Sequence, residues 1–119
     1  MRHLPICLAL LGFVPPAVAQ EDPYSASFVL PGCLYLANPD DPGLAKYSTI
    51  GGVCAGAIGA LITINSSLEP SYRICRPIGV SLRRDIRVVI DHLRANPTTW
   101  NENFVVVAHL ALRQAWPCR

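Results

Sequence analysis

The sequence predicts an all-α fold: a small domain of four to five helices held together by disulfide bonds. Apolar residues recur at helical spacing, most clearly between Leu82 and Leu93, which favours helices that bury one face. Clusters of Pro, Gly, Asn and Asp separate these stretches and are typical of turns. Four cysteines follow a predicted signal peptide, namely Cys33, Cys54, Cys75 and Cys118. An even number of cysteines suits disulfides in an exported protein.

Residues 1–19 have the pattern of a signal peptide. A basic start is followed by an apolar run from Leu4 to Val14 and by the small residues from Ala17 to Ala19, which are typical of a cleavage site. The apolar run ends well short of the roughly 20 residues that a membrane-spanning helix needs. We therefore expect one mature domain over residues 20–119, located in the periplasm and not bound to a membrane after cleavage.

Composition and cysteine spacing argue against several kinds of partner. Without Arg2, nine Arg and Lys residues face eight Asp and Glu residues, so neither nucleic acid nor an anionic membrane is indicated. Zinc sites usually draw on cysteines about two to four residues apart, whereas these cysteines are separated by 21, 21 and 43 positions. We expect no metal and no cofactor, and two disulfides are the simpler interpretation.

Two helices flank a dense turn in the first half of the mature chain. Residues 25–37 suit a helix that Pro31 and Gly32 must kink or shorten, and residues 38–43 have the composition of a loop. Residues 50–64 suit a second helix, which we expect to be buried in the domain and not to span a membrane. Small residues four positions apart share one face of it, where a neighbouring backbone could approach closely: Gly52, Gly56 and Ala60.

The third helix has the clearest signals in the chain. Ser81 is a good N-cap, and Pro97 ends the helix shortly after Ala95. The predicted inner face is aliphatic and consists of Leu82, Ile86, Val89, Ile90 and Leu93. The outer face is charged, as solvated helix faces usually are, and carries Arg83, Arg84, Arg87, Asp91 and Arg94.

A fourth helix is predicted from about Asn101 to Ala115, with Thr99 or Asn101 as its cap. Apolar residues occupy most of its circumference, so we expect it to be largely buried. The chain closes with Trp116, Pro117 and Cys118, a segment that a disulfide would hold against the domain.

No arrangement of catalytic residues stands out. His92 and His109 are the only histidines that remain after processing, and the cysteines that could act with them are better explained as disulfide partners. Asp40 and Asp41 are adjacent in a turn, where their side chains point apart. We therefore predict a binding protein with no catalytic residues and no enzymatic activity.

Four segments, taken in order, resemble one known family. They read CAGAI from Cys54, CRPIGVS from Cys75, VVIDHLRANP from Val88 and ALRQAWPC from Ala111. Together they are similar to the Rap/Tai immunity proteins of type VI secretion systems, and the likeness extends from about Cys33 to the end of the sequence. The most specific parts are a Cys-x-Pro before a Ser-capped helix and the closing Ala-Trp-Pro-Cys.

The resemblance implies a function. Members of this family are small helical proteins of the periplasm that bind and neutralise peptidoglycan-cleaving amidase effectors, so a cognate amidase-type effector is the expected partner, with a homodimer also open. This chain has Ala57, Ala60 and Thr63 where the family usually has Tyr, Gly and Asp, and these departures could change the partner. The alternative is a periplasmic envelope-stress chaperone or another small protein-binding module, and a chaperone would expose apolar surface under stress.

The pairing of the four cysteines is open on counting alone. If the first two helices form an antiparallel hairpin, Cys33 and Cys54 lie at matching depth on either side of its turn. Cys75 before the third helix and Cys118 after the fourth then meet at the open end of a second hairpin. We therefore predict the disulfides Cys33–Cys54 and Cys75–Cys118.

Candidate partner-binding residues are aromatic and Arg side chains outside the inferred core, because such residues most often anchor protein interfaces. Those that we predict to bind the partner are Trp100, Arg83, Arg84, Arg87, Arg94 and Tyr72. Trp100 follows Pro97 in a predicted loop, where its ring either folds back onto the helices or is presented to the partner.

Overall fold

The computed structural model describes residues 12–17 and 20–119 of the chain. Its four α-helices are α1 (Ala26–Ala37), α2 (Ser48–Ile64), α3 (Leu82–Ala95) and α4 (Phe104–Ala115). No strand occurs within these described ranges, so the predicted all-α fold is confirmed. Most of the predicted signal peptide, namely residues 1–11, 18 and 19, lies outside the described part of the chain.

Helices α1 and α2 form a hairpin in which their backbones come very close. The Ser25 hydroxyl caps α1 by accepting a hydrogen bond from the Phe28 amide at 3.3 Å, and the helix continues through Pro31 without a break. A Cβ atom on Gly32 would lie only 2.3 Å from the carbonyl carbon of Ile50, so no larger residue fits there. The expected shortening of α1 does not occur, because packing against α2 outweighs the poor helix propensity of Pro31 and Gly32.

The small-residue face that we expected to pack closely is exposed to solvent. Gly52, Gly56 and Ala60 lie on the outside of α2, and a Cβ atom on either glycine would meet nothing within 4 Å. The close approach occurs at Gly51, which faces the carbonyl oxygen of Gly32. The prediction of a buried second helix is therefore wrong in part, since only one side of α2 contacts the rest of the domain.

Both predicted disulfides are present. Cys33 and Cys54 are fully buried where α1 packs on α2, and their Cα atoms are 5.4 Å apart. Cys75 precedes α3 and Cys118 follows α4, with Cα atoms 4.9 Å apart. The Cys75 amide also donates to the Trp116 carbonyl at 2.9 Å. Each disulfide thus closes one helical hairpin, and the predicted pairing is confirmed.

Helix α3 has the bounds that its sequence signals predict. The Ser81 hydroxyl accepts a hydrogen bond from the Arg84 amide at 3.2 Å. The core side of the helix buries Ile86, Val89, Ile90 and Leu93. Leu82, which we expected on the same side, is partly exposed in the first turn.

Helix α4 begins later than predicted, at Phe104 instead of Asn101. Its cap is Asn103, whose side-chain oxygen accepts hydrogen bonds from the amides of Val105 at 3.0 Å and Val106 at 3.4 Å. The predicted caps, Thr99 and Asn101, are therefore wrong.

The segment between α3 and α4 is held outside the helix by backbone contacts with the start of α1. The amides of Ala26 and Ser27 donate to the carbonyls of Glu102 and Trp100, each at 2.9 Å. These carbonyl groups satisfy the first amides of α1, which have no partner within that helix. Because the carbonyl groups of Trp100 and Glu102 are bound by the first amides of α1, this segment does not continue α4 toward its N-terminus.

Apolar side chains remain exposed along the side where α2 and α4 lie next to each other. Leu61 and Ile64 of α2 line one shallow apolar groove together with Val105 and Val106 of α4. The expectation that α4 is largely buried is thus wrong for one of its sides. We call this surface the α2–α4 face and define it by its exposed large apolar side chains, Val53, Ile64, Val105 and Val106.

The stretch Ala45–Ser67, which contains α2, is long and apolar enough to cross a membrane by length and composition. Only 22% of its most apolar window is buried within the domain. A core helix can pass the same test, and here α2 packs against the other three helices and is disulfide-bonded to α1. These contacts make α2 an integral part of the domain.

Candidate partner-binding surface

The exposed arginines of α3 form a basic ridge along the outside of the domain. They project from the solvent-exposed part of the helix, and Asp91 is the one acidic residue exposed among them on α3. The structure thereby brings four of the six predicted partner-binding residues onto one helix. We call this surface the arginine ridge and define it by Arg83, Arg84, Arg87 and Arg94.

Positive charge is concentrated in the second half of the mature chain. Residues 68–119 contain eight Arg and four Asp or Glu residues, whereas residues 20–67 contain one Lys and four Asp or Glu residues. One acid of the basic half, Asp85, is completely buried and paired with Arg76. The other charged side chains of this half, seven Arg and three Asp or Glu, still have a net charge of +4. A partner with an acidic surface would complement it.

The loop before α3 is fixed by a buried ion pair between Arg76 and Asp85. The Nε and Nη2 atoms of Arg76 donate to the two carboxylate oxygens of Asp85 at 3.0 Å and 2.8 Å, and Nη2 also donates to the Val80 carbonyl. Asp85 lies in the first turn of α3, where the positive end of the helix dipole favours a carboxylate. This arrangement joins the loop firmly to the helix that carries the arginine ridge.

The sequence alone did not identify this ion pair. Its one available signal is that Asp85 lies four positions before Val89 and therefore on the core side of an amphipathic helix. A carboxylate in that position requires a cationic partner, but no helical spacing points to Arg76, which lies outside the helix.

Trp100 is partly buried and is anchored to α3. Its indole Nε1 donates to the Leu93 carbonyl at 2.7 Å, and its ring packs against the hydrophobic core. These contacts favour the ring folded back onto the helices, with part of its surface still accessible. Its contact with a partner stays a prediction.

Tyr72 is exposed but does not lie on the arginine ridge. Its ring is 5.9 Å from the guanidinium carbon of Arg113 on α4, and its carbonyl oxygen is 2.7 Å from the Nε2 atom of His109 on the same helix. Tyr72 therefore sits beside α4, where it also lines the groove of the α2–α4 face.

Five of the side chains considered above for catalysis, the four cysteines and His109, make other contacts in the described structure. The four cysteines are disulfide-bonded, and His109 is bound to the Tyr72 carbonyl. Within residues 12–17 and 20–119, no group of three or more His, Cys, Asp or Glu side chains could hold a metal ion. What the surface offers is a rigid basic helix, a fixed loop and an apolar side, all of which suit binding.

Comparison with known proteins identifies the family. A family model described as Rap1a immunity proteins matches residues 29–118. This range includes α2, α3, α4, most of α1 and both disulfides. No curated protein and no solved structure matches the chain. Because the family match spans well over half of the sequence, the chain belongs to the Rap1a immunity protein family.

Proposed function

We propose that this chain is a periplasmic immunity protein that binds and neutralises a peptidoglycan amidase effector delivered by a type VI secretion system. The observation that carries the proposal is the match to Rap1a immunity proteins over residues 29–118, since an immunity protein has a cognate secreted effector. The two disulfides fit an oxidising compartment. They support export to the periplasm through a signal peptide at residues 1–19.

The proposed mode of action is inhibition by binding, without catalysis. An inhibitor of this kind needs a surface that changes little when it meets its partner. Two disulfides, each closing one hairpin, and the buried pair of Arg76 with Asp85 hold this domain rigid. Such a surface loses little conformational entropy on binding, which favours high affinity.

The proposed effector-binding surface is the arginine ridge, together with the accessible part of Trp100. The ridge is exposed along a rigid helix, and Arg is well suited to bidentate pairing with carboxylates. Trp100 is tied to the same helix through the Leu93 carbonyl. Tyr72 lies beside α4 instead and lines the groove of the α2–α4 face. Its proposed role therefore requires a second contact with the effector, at a part of this groove that the dimer proposed below leaves open.

We also propose that two copies of the chain associate through the α2–α4 face. No charged residue occurs from Ser48 to Leu68, so an identical copy meets no like charge on α2. Exposed apolar side chains of both helices would be buried in such a dimer. Gly52 and Gly56 serve no packing within the chain and would let the second copy approach closely.

The proposed function predicts that an amidase is encoded beside the gene of this chain, and it is tested with that amidase and the mature chain, residues 20–119. The two proteins should co-elute as a complex, and about one equivalent of the chain should stop peptidoglycan hydrolysis by the amidase. In a bacterial host, amidase exported to the periplasm should be lethal unless the full chain is co-produced. The control chain without residues 1–19 stays in the cytoplasm and should not protect.

A second outcome would favour the chaperone alternative. The mature chain would then neither bind nor inhibit the amidase, but it would suppress the aggregation of an unfolded model client in a light-scattering assay. The exposed α2–α4 face is the feature that such a chaperone would use.

A further inference from the structure

The loop from Cys75 to Ser81 presents an apolar side chain that contacts nothing else in the domain. Ile78 is fully exposed, and within residues 20–119 no other large apolar side chain is as exposed. A single exposed apolar residue is common on protein surfaces. What distinguishes Ile78 is that the loop around it is fixed in place.

The first restraints on this loop lie in the backbone. Cys75 is held by its disulfide to Cys118 and by the hydrogen bond from its amide to the Trp116 carbonyl at 2.9 Å. Directly after Ile78, Gly79 has a φ of +86°, a left-handed conformation that glycine adopts more readily than other residues. These two restraints set the path of the chain on either side of Ile78.

The remaining restraint is the side chain of Arg76, which spans the base of the loop. It joins Asp85 in α3 through two hydrogen bonds and also binds the Val80 carbonyl. The chain is thereby closed on itself from Arg76 to Val80, with Ile78 between the two fixed points. A partner that binds Ile78 does not have to order the loop first, which lowers the entropic cost of binding.

Positive charge surrounds the fixed loop. Arg84 lines a groove beside Pro77, Gly79 and Trp116, and Arg83 is exposed next to it in the first turn of α3. The loop itself carries no acidic residue. The tip is thus apolar while its surroundings are basic.

We propose that this loop inserts into the effector, at a pocket with an apolar floor and an acidic rim. Ile78 fills the pocket, and Arg83 and Arg84 pair with carboxylates on the rim. The inference rests on the proposed function, because the occupant is the effector itself. We expect acidic groups on the partner because residues 68–119 carry an excess of Arg and complementary charges favour association.

The test measures the dissociation constant by titration calorimetry between the mature chain and a catalytically inactive variant of the amidase encoded beside its gene. Ile78→Asp should weaken binding at least about tenfold, because it removes a buried apolar anchor and adds a carboxylate to an acidic rim. Its melting temperature should match the wild type, since Ile78 is fully exposed. Arg84→Glu should weaken binding as well, and more strongly at low salt than at high salt.

Two further variants test whether a loss of affinity is specific to the conformation and the apolar side chain of this loop. Gly79→Ala keeps Ile78 but disfavours the left-handed turn, so binding should fall by about threefold or more. Ile78→Leu is the matched control, because it keeps a large apolar side chain at the same exposed position, and it should bind like the wild type.

The outcomes distinguish this inference from the proposed function. If the wild type binds the amidase and both loop variants, Ile78→Asp and Gly79→Ala, bind equally well, the loop proposal is overturned while the immunity function stands. If the wild type itself does not bind, the proposed function fails and the loop proposal fails with it. Should Ile78→Asp melt early, Ile78→Ser replaces it with the same expected loss of affinity.

Discussion

Arg76 and Asp85, nine positions apart, form the only ion pair in the described part of the chain, and Asp85 is completely buried in it. Replacing Asp85 with Asn leaves the Arg76 guanidinium without its counter-charge. The side chain of Arg76 is 23% exposed and keeps some contact with water, so we expect a loss of about 3 kcal/mol in unfolding free energy, at the low end for a broken buried pair. Urea denaturation of the wild type and the variant measures this loss in unfolding free energy.

The matched control for this prediction is Asp91→Asn, which makes the same chemical change on the exposed side of the same helix. It should alter the unfolding free energy by less than about 0.5 kcal/mol. Equal effects of the two substitutions would mean that the ion pair does not stabilise the domain.

The two disulfides should differ in how easily they are reduced. Cys33 and Cys54 are fully buried, whereas Cys75 and Cys118 are exposed, and a thiolate reductant must reach the sulfur atom that it attacks. Limited treatment with dithiothreitol in native buffer should therefore open Cys75–Cys118 first. Alkylation followed by peptide mass spectrometry identifies the free thiols, and early labelling of Cys33 or Cys54 would contradict the prediction.

Removal of the same disulfides should lower stability, and somewhat more for the disulfide that closes the longer loop. The sequence separations of 21 and 43 residues correspond to about 3 and about 4 kcal/mol by loop-closure entropy. Paired Cys→Ala substitutions measure both losses by urea denaturation, and the oxidised wild type is the reference.

Trp100→Ala should lower the melting temperature, because it removes the hydrogen bond to the Leu93 carbonyl and a ring that packs on the core. We expect a loss of about 2–3 kcal/mol, since the ring is only partly buried. Trp100→Phe keeps most of the ring, so it should retain part of this stability. Calorimetric titration with the amidase, at a temperature at which both variants are folded, shows whether Trp100 also contacts the partner. If it does, the folded variants should bind the amidase more weakly than the wild type.

The arginine ridge should control the rate of association. Arg87→Glu reverses a charge on the exposed side of α3, and we expect slower association with the amidase at low salt and a smaller difference at high salt. Stopped-flow fluorescence measures the rate. Lys46→Glu makes the same kind of change outside the basic half of the chain and should have little effect, so similar slowing by both would argue for an overall charge effect.

Val106→Asp should dissociate the proposed dimer, because it places a charge in the middle of an apolar interface. Light scattering coupled to size-exclusion chromatography should give a dimer for the wild type and a monomer for the variant. Ile78→Asp, which lies in the loop before α3, is the control and should stay dimeric. A wild type that is monomeric and binds phospholipid vesicles would instead assign the α2–α4 face to a membrane surface.

The elements that could be predicted from the sequence are those set by local chemistry. The N-cap Ser81 and the aliphatic spacing that follows define α3 without help from the rest of the chain. The disulfide pairing also followed from local order, because Cys33 and Cys54 flank one turn and each disulfide closes a hairpin of neighbouring helices.

The features that the sequence did not reveal depend on contacts between distant residues. The start of α4 is set by the backbone bonds from Ala26 and Ser27 to residues 100–102, which no local pattern encodes. Helical spacing showed that Gly52 and Gly56 share a face, but it could not show that the neighbouring helix packs at Gly51 instead. Helical spacing also could not identify Arg76 as the partner of Asp85, because Arg76 lies in a loop outside the helix.

The order of the paired cysteines bears on how the chain acquires its native bonds. Cys33 pairs with Cys54 and Cys75 pairs with Cys118, so each cysteine bonds to its neighbour in the mature sequence. A chain that emerges from a membrane translocon with its N-terminus first, into an oxidising space, would meet each correct partner as the next thiol to appear. Oxidation in that order needs no reshuffling of wrong bonds. Maturation should therefore require a thiol oxidase but be insensitive to the loss of a disulfide isomerase.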